Sequence, residues 1–304
     1  MGKATARQVV PGSALAWLLA LRPRTLTLGV VPVLAGNGLA LVDGRAVDPA
    51  ILLLTVAASL CIVAATNLFN DAADGERGLD APPQRLGPPR ATASGWLPAR
   101  QLRRAAGGLL ALALACGFPL VARGGWPILL IGLAALLASP AYSFGRAPLS
   151  AGPAGEALVI LFFGVLAVGG SYHLQAGTLT ADALLCGLAI GMPAAAVLLV
   201  NNYRDQAADR QAGRRTLAVV LGARRTQRLY ALLLLLPPAL LAAIVDGGWR
   251  WLPLLAWPPA LRPLRRLQCW PVSSSLNRLL AATARWQLLL GLLLGLAWYL
   301  QAPD

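Results

Sequence analysis

Two short polar stretches hold the side chains best suited to chemistry in this 304-residue chain. The first reads Asn67-Leu-Phe-Asn70-Asp71-Ala-Ala-Asp74-Gly-Glu-Arg-Gly-Leu-Asp80, and the second Asn201-Asn202-Tyr-Arg204-Asp205-Gln-Ala-Ala-Asp209. On a helix turning about 100° per residue, Asn67, Asn70, Asp71 and Asp74 share one face, and so do Asn202, Asp205 and Asp209. Clustered carboxylate and amide oxygens are hard ligands that suit Mg²⁺, which takes one or two carboxylates and completes its shell with water and substrate phosphate. Two such clusters facing one cavity would hold a diphosphate through two metal ions, with Asn70, Asp71, Asp74, Asn202, Asp205 and Asp209 as donors. Arg85, Arg90, Arg214 and Arg215 follow closely and can bind the same phosphates. Helix-end caps with solvated loop charges are the plainer alternative for either stretch alone. Two matched stretches argue against it.

The elements that must position these residues are apolar. Hydrophobic residues make up 57% of the chain and charged residues 12%, about half the charge of a soluble domain. Nine apolar runs recur: Thr25–Val42, Ile51–Phe69, Ala105–Val121, Trp126–Ala141, Gly155–Ser171, Ala183–Val200, Leu229–Val245, Trp249–Leu261 and Leu279–Leu300. With their flanks, most reach the length of a membrane-spanning helix. The eighth is the weakest, being short and carrying Pro253, Pro258 and Pro259. The expected fold is therefore all-α, a single membrane domain over residues 1–304 with about nine transmembrane helices around a central cavity, capped by cytoplasmic loops at about 71–104 and 204–228.

Charge sorts the loops. The net charge is +14, and of 26 basic residues 23 fall on the N-terminus and every second loop, leaving Arg45, Arg123 and Arg250 on the other side. This split predicts a cytoplasmic N-terminus and places both acidic stretches in the cytoplasm. The basic excess then reflects topology and contact with the anionic bilayer surface, not nucleic-acid binding. Of the basic residues only Lys3 is lysine, a composition that suggests a GC-rich bacterial source and hence the inner membrane. Cys61, Cys116, Cys186 and Cys269 show no metal-ligand spacing, and no removable signal peptide is evident.

Further stretches make a resemblance specific. These are Leu21-Arg22-Pro23-Arg24-Thr25; Gly87-Pro88-Pro89-Arg90 through Ser94-Gly95; Tyr142-Ser143-Phe144-Gly145-Arg146-Ala147-Pro148-Leu149 with Gly155-Glu156 and Phe162-Phe163-Gly164; and Gly213-Arg214-Arg215-Thr216-Leu217 with Leu221-Gly222. Together with the two acidic stretches, the chain from about Trp17 to Tyr230 resembles the UbiA superfamily of membrane prenyltransferases. It is most similar to the branch that prenylates 1,4-dihydroxy-2-naphthoate. The resemblance implies Mg²⁺-dependent ionisation of a polyprenyl diphosphate, attack by the naphthoate ring carbon and loss of CO₂ to give demethylmenaquinol, a step of menaquinone biosynthesis.

It also implies site roles. Asp71, Asp74, Asp205 and Asp209 serve catalysis, with Glu156 and Tyr142 facing the acceptor or the cation. Asn67, Asn70, Asp80, Arg85, Arg90, Asn202, Arg214, Arg215, Arg146 and Arg22 bind diphosphate or substrate. Glu156 as a helix N-terminal acid and Tyr142 as an interfacial aromatic are the structural alternatives. The lone histidine, His173, lies across the membrane from both acidic stretches and reads as interfacial. Other acceptors, such as 4-hydroxybenzoate, haem or a chlorin, remain open, as does a transporter. A transporter would bury its acids mid-span, and here they lie at helix ends.

Overall fold

The computed structural model describes residues 9–78 and 86–301. Asp80 and Arg85, together with Lys3 and Arg7, lie outside the described residues. The described chain is helical throughout, with no strand. In order come α1 (Ala14–Leu21), α2 (Pro23–Val42), α3 (Pro49–Glu76), α4 (Ala99–Ser143), α5 (Gly155–Ile160), a π-helical turn (Leu161–Leu166), α6 (Ala167–Ala176), α7 (Ala181–Gln211), α8 (Leu217–Ala243), α9 (Trp257–Cys269) and α10 (Leu276–Gln301). Among the described residues seven helices are long and apolar enough to cross a membrane, the α5–α6 unit counting as one. Large side chains such as Leu53, Leu137 and Leu292 are exposed on the outside, where lipid tails and not water are their natural neighbours. The protein is a multi-pass membrane protein.

α4 is two of the expected spans. A straight 45-residue helix would run about 67 Å, twice the hydrocarbon thickness. Gly125, with φ 65° and ψ −149°, interrupts it in a conformation open essentially only to glycine. Both ends then meet the same end of α3. Leu102 packs with Leu68 and Phe69, while Ser139 shares a 2.8 Å hydrogen bond with Thr66 and Phe144 meets Phe69 edge to face. The bend sits at the opposite end, where the Gly124 carbonyl faces His173 Nε2 at 3.0 Å.

The eighth run differs from a spanning helix. Trp249–Leu261 divides between two 3-10 turns, Gly247–Trp249 and Pro253–Ala256, and the start of α9, because the prolines remove the amides a continuous helix needs. The segment still returns the chain along α8. Asp246 N donates to Gln301 Oε1 at 3.3 Å at one end, and the Leu267 carbonyl takes a 3.2 Å bond from Gln227 at the other.

From the sequence, Gly75 and Gly78 are expected to release the first acidic helix into its loop and Gly213 to break the second; Gly75 alone differs. α3 continues through it to Glu76, and the left-handed residue is Gly78. Gly75 is needed for another reason: a Cβ there would lie 2.2 Å from Thr92 Oγ1. At α7 the expectation holds, since the helix stops at Gln211 and Gly213 is left-handed.

Close helix crossings shape the interior. Gly164 in the π-helical turn faces Gly187 and Gly191 of α7, where added Cβ atoms would meet backbone at 2.3–2.8 Å. Small residues let the backbones touch, as is common between membrane helices. The chain connections gather at two ends. At one end Arg215 N bonds the Ala151 carbonyl, Arg77 the Gly145 carbonyl and Asn277 the Leu86 carbonyl. At the other, Gln175 ties Asn37 to Asp48, and Tyr172 donates to Asp43.

Candidate active site

A cavity of about 1020 Å³ runs through the bundle. One face of α3 traces its length: Thr55, Ala58, Ser59, Ile62, Val63, Thr66, Asn67 and Asn70, spaced by threes and fours, for about 22 Å. The hydroxyls on this face turn to backbone, Thr55 to the Ile51 carbonyl, Ser59 to that of Gly29 and Thr66 to that of Ile62. The wall is therefore apolar in effect. Phe118, Leu129, Phe162, Phe163 and Leu166 line the opposite side, down to Ile128 and Leu174 near the α4 bend. A π-turn within a helix re-aims side chains, and here Phe162 and Phe163 sit on it.

The other end is polar and basic. Arg22, Asn67, Asn70, Asp71, Arg90, Tyr142, Asn201, Arg204 and Asn277 all line it. Arg22 links α1 and α2 with a left-handed backbone (φ 54°), the sole non-glycine with positive φ among the described residues. Its carbonyl accepts from both Thr25 N and Thr25 Oγ1, and Asn67 Nδ2 donates to the Leu21 carbonyl and to Thr25 Oγ1. That web holds a strained residue, a pattern associated with functional sites. Burial draws the Arg22 guanidinium pKa down, and the charges of Asp71 and Asp74 oppose the shift.

The four aspartates have distinct partners. Asp71, 2% exposed, accepts from Ala91 N (2.9 Å), Thr92 N (3.0 Å) and Thr92 Oγ1 (2.7 Å). It pins the loop carrying Arg90 onto α3, and one of its four lone-pair directions, on Oδ2, remains. Asp74 pairs with Arg90 at 2.9 Å, and the same Arg90 nitrogen reaches Asn70 Oδ1 at 3.2 Å. Asp205 is held by Arg204 through two bonds of 2.8 and 2.5 Å. Asp209 lies 3.6 Å from Arg214, and that same Arg214 nitrogen lies 3.9 Å from Asp74. Arg214 is anchored by the carbonyl and hydroxyl of Ser150 at 3.2 and 3.1 Å. One guanidinium thus stands between carboxylates from the two acidic stretches, bringing them to one place.

Other expected residues fall nearby or elsewhere. Asn202 donates at 2.9 Å to Glu156 Oε1, and Glu156 is 3% exposed with Oε2 buried and accepting no hydrogen bond. Asp74, Asp205, Asp209 and Arg214 stand behind the cavity wall, joined to it through Arg90 and Arg204, and the Glu156–Asn202 pair also lies behind it. Arg146 and Arg215 are exposed and line no part of the cavity, so the structure does not bring them to the phosphate end. Asn201, Arg204, Ser150 and Asn277 join the site unannounced. Among them only Asn201 and Arg204 lie within a stretch that the spacing singles out.

The model of the UbiA prenyltransferase family matches residues 29–270, most of the chain and both acidic stretches. This chain belongs to the UbiA prenyltransferase family. It is a prenyltransferase. The chain is 33% identical over 297 residues to the 1,4-dihydroxy-2-naphthoate octaprenyltransferase of Escherichia coli, covering 94% of this chain and 95% of that one. Its fold is that of a UbiA homologue from Aeropyrum pernix (TM-score 0.66, 17% identity, 88% of this chain and 96% of that one). It is also that of a UbiA homologue from Archaeoglobus fulgidus bound to DMAPP and Mg²⁺ (TM-score 0.61, 16% identity, 90% and 98%).

Among the described residues no three acidic, histidine or cysteine side chains form a ready-made metal cage. Mg²⁺ takes only one or two carboxylates and leaves much of its shell to phosphate and water. Asn70, Asp74 and Asp209, with the remaining lone pair of Asp71 and the carboxylate of Asp205, are a hard-oxygen set of the right kind.

Proposed function

We propose that this UbiA prenyltransferase transfers a polyprenyl group from its diphosphate to 1,4-dihydroxy-2-naphthoate, forming demethylmenaquinol for menaquinone biosynthesis. The observation that carries the reading is Arg214 standing within 4 Å of both Asp74 and Asp209, just behind the basic end of a long apolar cavity. Its curated relatives of the naphthoate branch and the Mg²⁺-bound structural neighbour support it.

The cavity divides the substrate by chemistry. The prenyl tail takes the apolar length beside α3, and the diphosphate takes the end lined by Arg22, Arg90 and Arg204. Arginine forks suit phosphate oxygens. As phosphate engages Arg90, Arg204 and Arg214, the carboxylates those arginines hold become available as metal donors. Mg²⁺, when bound, neutralises charge on the diphosphate as it leaves. Asn70, Asp71, Asp74, Asp205 and Asp209 would hold it, and Asn202 supports that wall from Glu156.

The allylic C–O bond breaks, and its electron pair leaves with the diphosphate. Tyr142, Phe162 and Phe163 offer ring faces to the resulting cation, and the dry wall keeps water from capturing it. The ring carbon bearing the carboxylate forms the new C–C bond. The C–CO₂⁻ bond then breaks, returning its electron pair to the ring. Glu156, behind the wall with Oε2 lacking a donor, orients Asn202 through a 2.9 Å hydrogen bond.

The side of the bundle holding both acidic stretches faces the cytoplasm, and the membrane is the bacterial inner membrane. The arginine split supports the orientation, and the near absence of lysine among the basic residues supports the bacterial membrane.

Product analysis by mass spectrometry tests the reading. Membranes containing the protein, Mg²⁺ and a polyprenyl diphosphate are offered 1,4-dihydroxy-2-naphthoate, 4-hydroxybenzoate and haem. Prenylated, decarboxylated naphthoquinol is the expected product. A product from another acceptor alone would move the protein to a different branch.

A further inference from the structure

We propose that Asn277 is a positioning residue that ties the loop of the first acidic stretch to the arginine–aspartate pair of the second, and that this tie keeps water from the diphosphate end of the cavity. The inference rests on the prenyl-transfer reading above. Asn277 lies in the first turn of α10, beyond residues 29–270 that the family model matches. Its Oδ1 accepts from Arg204 NH1 at 2.6 Å, and its Nδ2 donates to the Leu86 carbonyl at 2.9 Å. The amide orientation is forced, because a guanidinium only donates and a carbonyl only accepts.

Each partner leads to one acidic stretch. Arg204, 2% exposed, grips Asp205 through two hydrogen bonds and Asn201 through a third. Leu86 begins the segment that carries Arg90, which pairs with Asp74, and ends on Ala91 and Thr92, held by Asp71. Asn277 therefore closes a ring of contacts: Asp71, loop, Asn277, Arg204, Asp205. The residue sits on a firm base. Leu276 and Leu279 beside it are fully buried, and a serine turn at Ser273–Ser275 fixes the helix start. Asn277, Leu280, Ala281 and Ala284, on one face of α10, line the cavity, with Asn277 at its polar end.

Only a side chain with a donor and an acceptor at that span satisfies both partners. Asn277→Asp is nearly isosteric and keeps the acceptor for Arg204. It sets a carboxylate oxygen against the Leu86 carbonyl, so the loop arm is lost while the Arg204 arm is strengthened.

The test uses the purified full chain with Mg²⁺, a polyprenyl diphosphate and the naphthoate acceptor, comparing wild type, Asn277→Asp and Asn277→Ala. Three quantities are read: KM for the diphosphate, the share of substrate released as polyprenol, and hydrogen exchange of peptides covering residues 86–94. Polyprenol arises when water, not the ring carbon, takes the prenyl cation, leaving diphosphate and a proton. Losing a hydrogen bond of this kind should raise KM about tenfold. The polyprenol share should rise with it, and exchange should speed up in 86–94 without change in α7.

Asn277→Asp carries the decision if Asn277→Ala fails to fold. Wild-type KM, polyprenol share and exchange in Asn277→Asp would overturn the proposal. So would a loss of turnover with KM and polyprenol share unchanged. If wild type forms no prenylated product at all, the functional reading fails instead, and the exchange data alone decide whether Asn277 holds the loop.

Discussion

Asp71 and Asp74 are three residues apart and have different surroundings. Asp71 accepts three hydrogen bonds from Ala91 and Thr92, whereas Asp74 and Asp209 face arginines at the phosphate end. Asp74→Ala and Asp209→Ala should each lower kcat by about 10²-fold or more, since preorganised charge at the leaving group is a dominant catalytic term. Steady-state rates at saturating Mg²⁺ check this, and near-wild-type rates in both variants would refute a shared diphosphate site. Thr92→Val removes the hydroxyl donor to Asp71 and should raise KM for the diphosphate more than it lowers kcat. Gly75→Ala should reproduce that phenotype, because its Cβ would occupy the place of Thr92 Oγ1. A kcat loss without a KM change in either would contradict the loop-anchoring role of Asp71. The aspartates and asparagines were legible from spacing because they share helix faces. Their partners were not: Thr92, Ser150 and Asn277 come from segments whose register against α3 and α7 no local pattern encodes.

At the scale of elements, the apolar runs were legible by length alone, and α4 divided at the glycine pair Gly124–Gly125 as the two runs imply. Periodicity helped less, because helices that face lipid on one side and protein on the other are apolar all round. The eighth run shows the limit: its prolines broke it into turns and α9, a consequence of missing amides that hydropathy does not register. Glycines carry the packing. Gly191→Ala would bring a Cβ to 2.8 Å from the Ile160 carbonyl and 2.9 Å from Gly164 Cα. It should destabilise the protein by about 1–3 kcal/mol through overpacking and shift Phe162 and Phe163. Thermal unfolding in detergent measures the first effect and donor KM the second. Unchanged unfolding would mean that the α5–α7 crossing is looser than the backbone contacts indicate.

For the whole molecule, alternation of charge between the two ends of the bundle is the organising feature. The contacts at each end sort the connections as the arginine split does, with Ala151, Gly145 and Leu86 at one end and Asp43, Asp48 and Gly124 at the other. In a variant with its four native cysteines replaced, exposed Cys269 above all, Ser94→Cys and Ala223→Cys should resist an impermeant thiol reagent in intact cells. Leu179→Cys should react. Labelling of Ser94→Cys from outside would place both acidic stretches away from cytosolic diphosphate. The most direct measurement of the central claim is diphosphate release coupled to lipid product in reconstituted vesicles. Wild type should form one prenylated, decarboxylated naphthoquinol per diphosphate released, only with Mg²⁺, while the Asp74→Ala, Asp209→Ala double variant forms none. Product formed equally without Mg²⁺, or by the double variant, would contradict a diphosphate site built from the two acidic stretches.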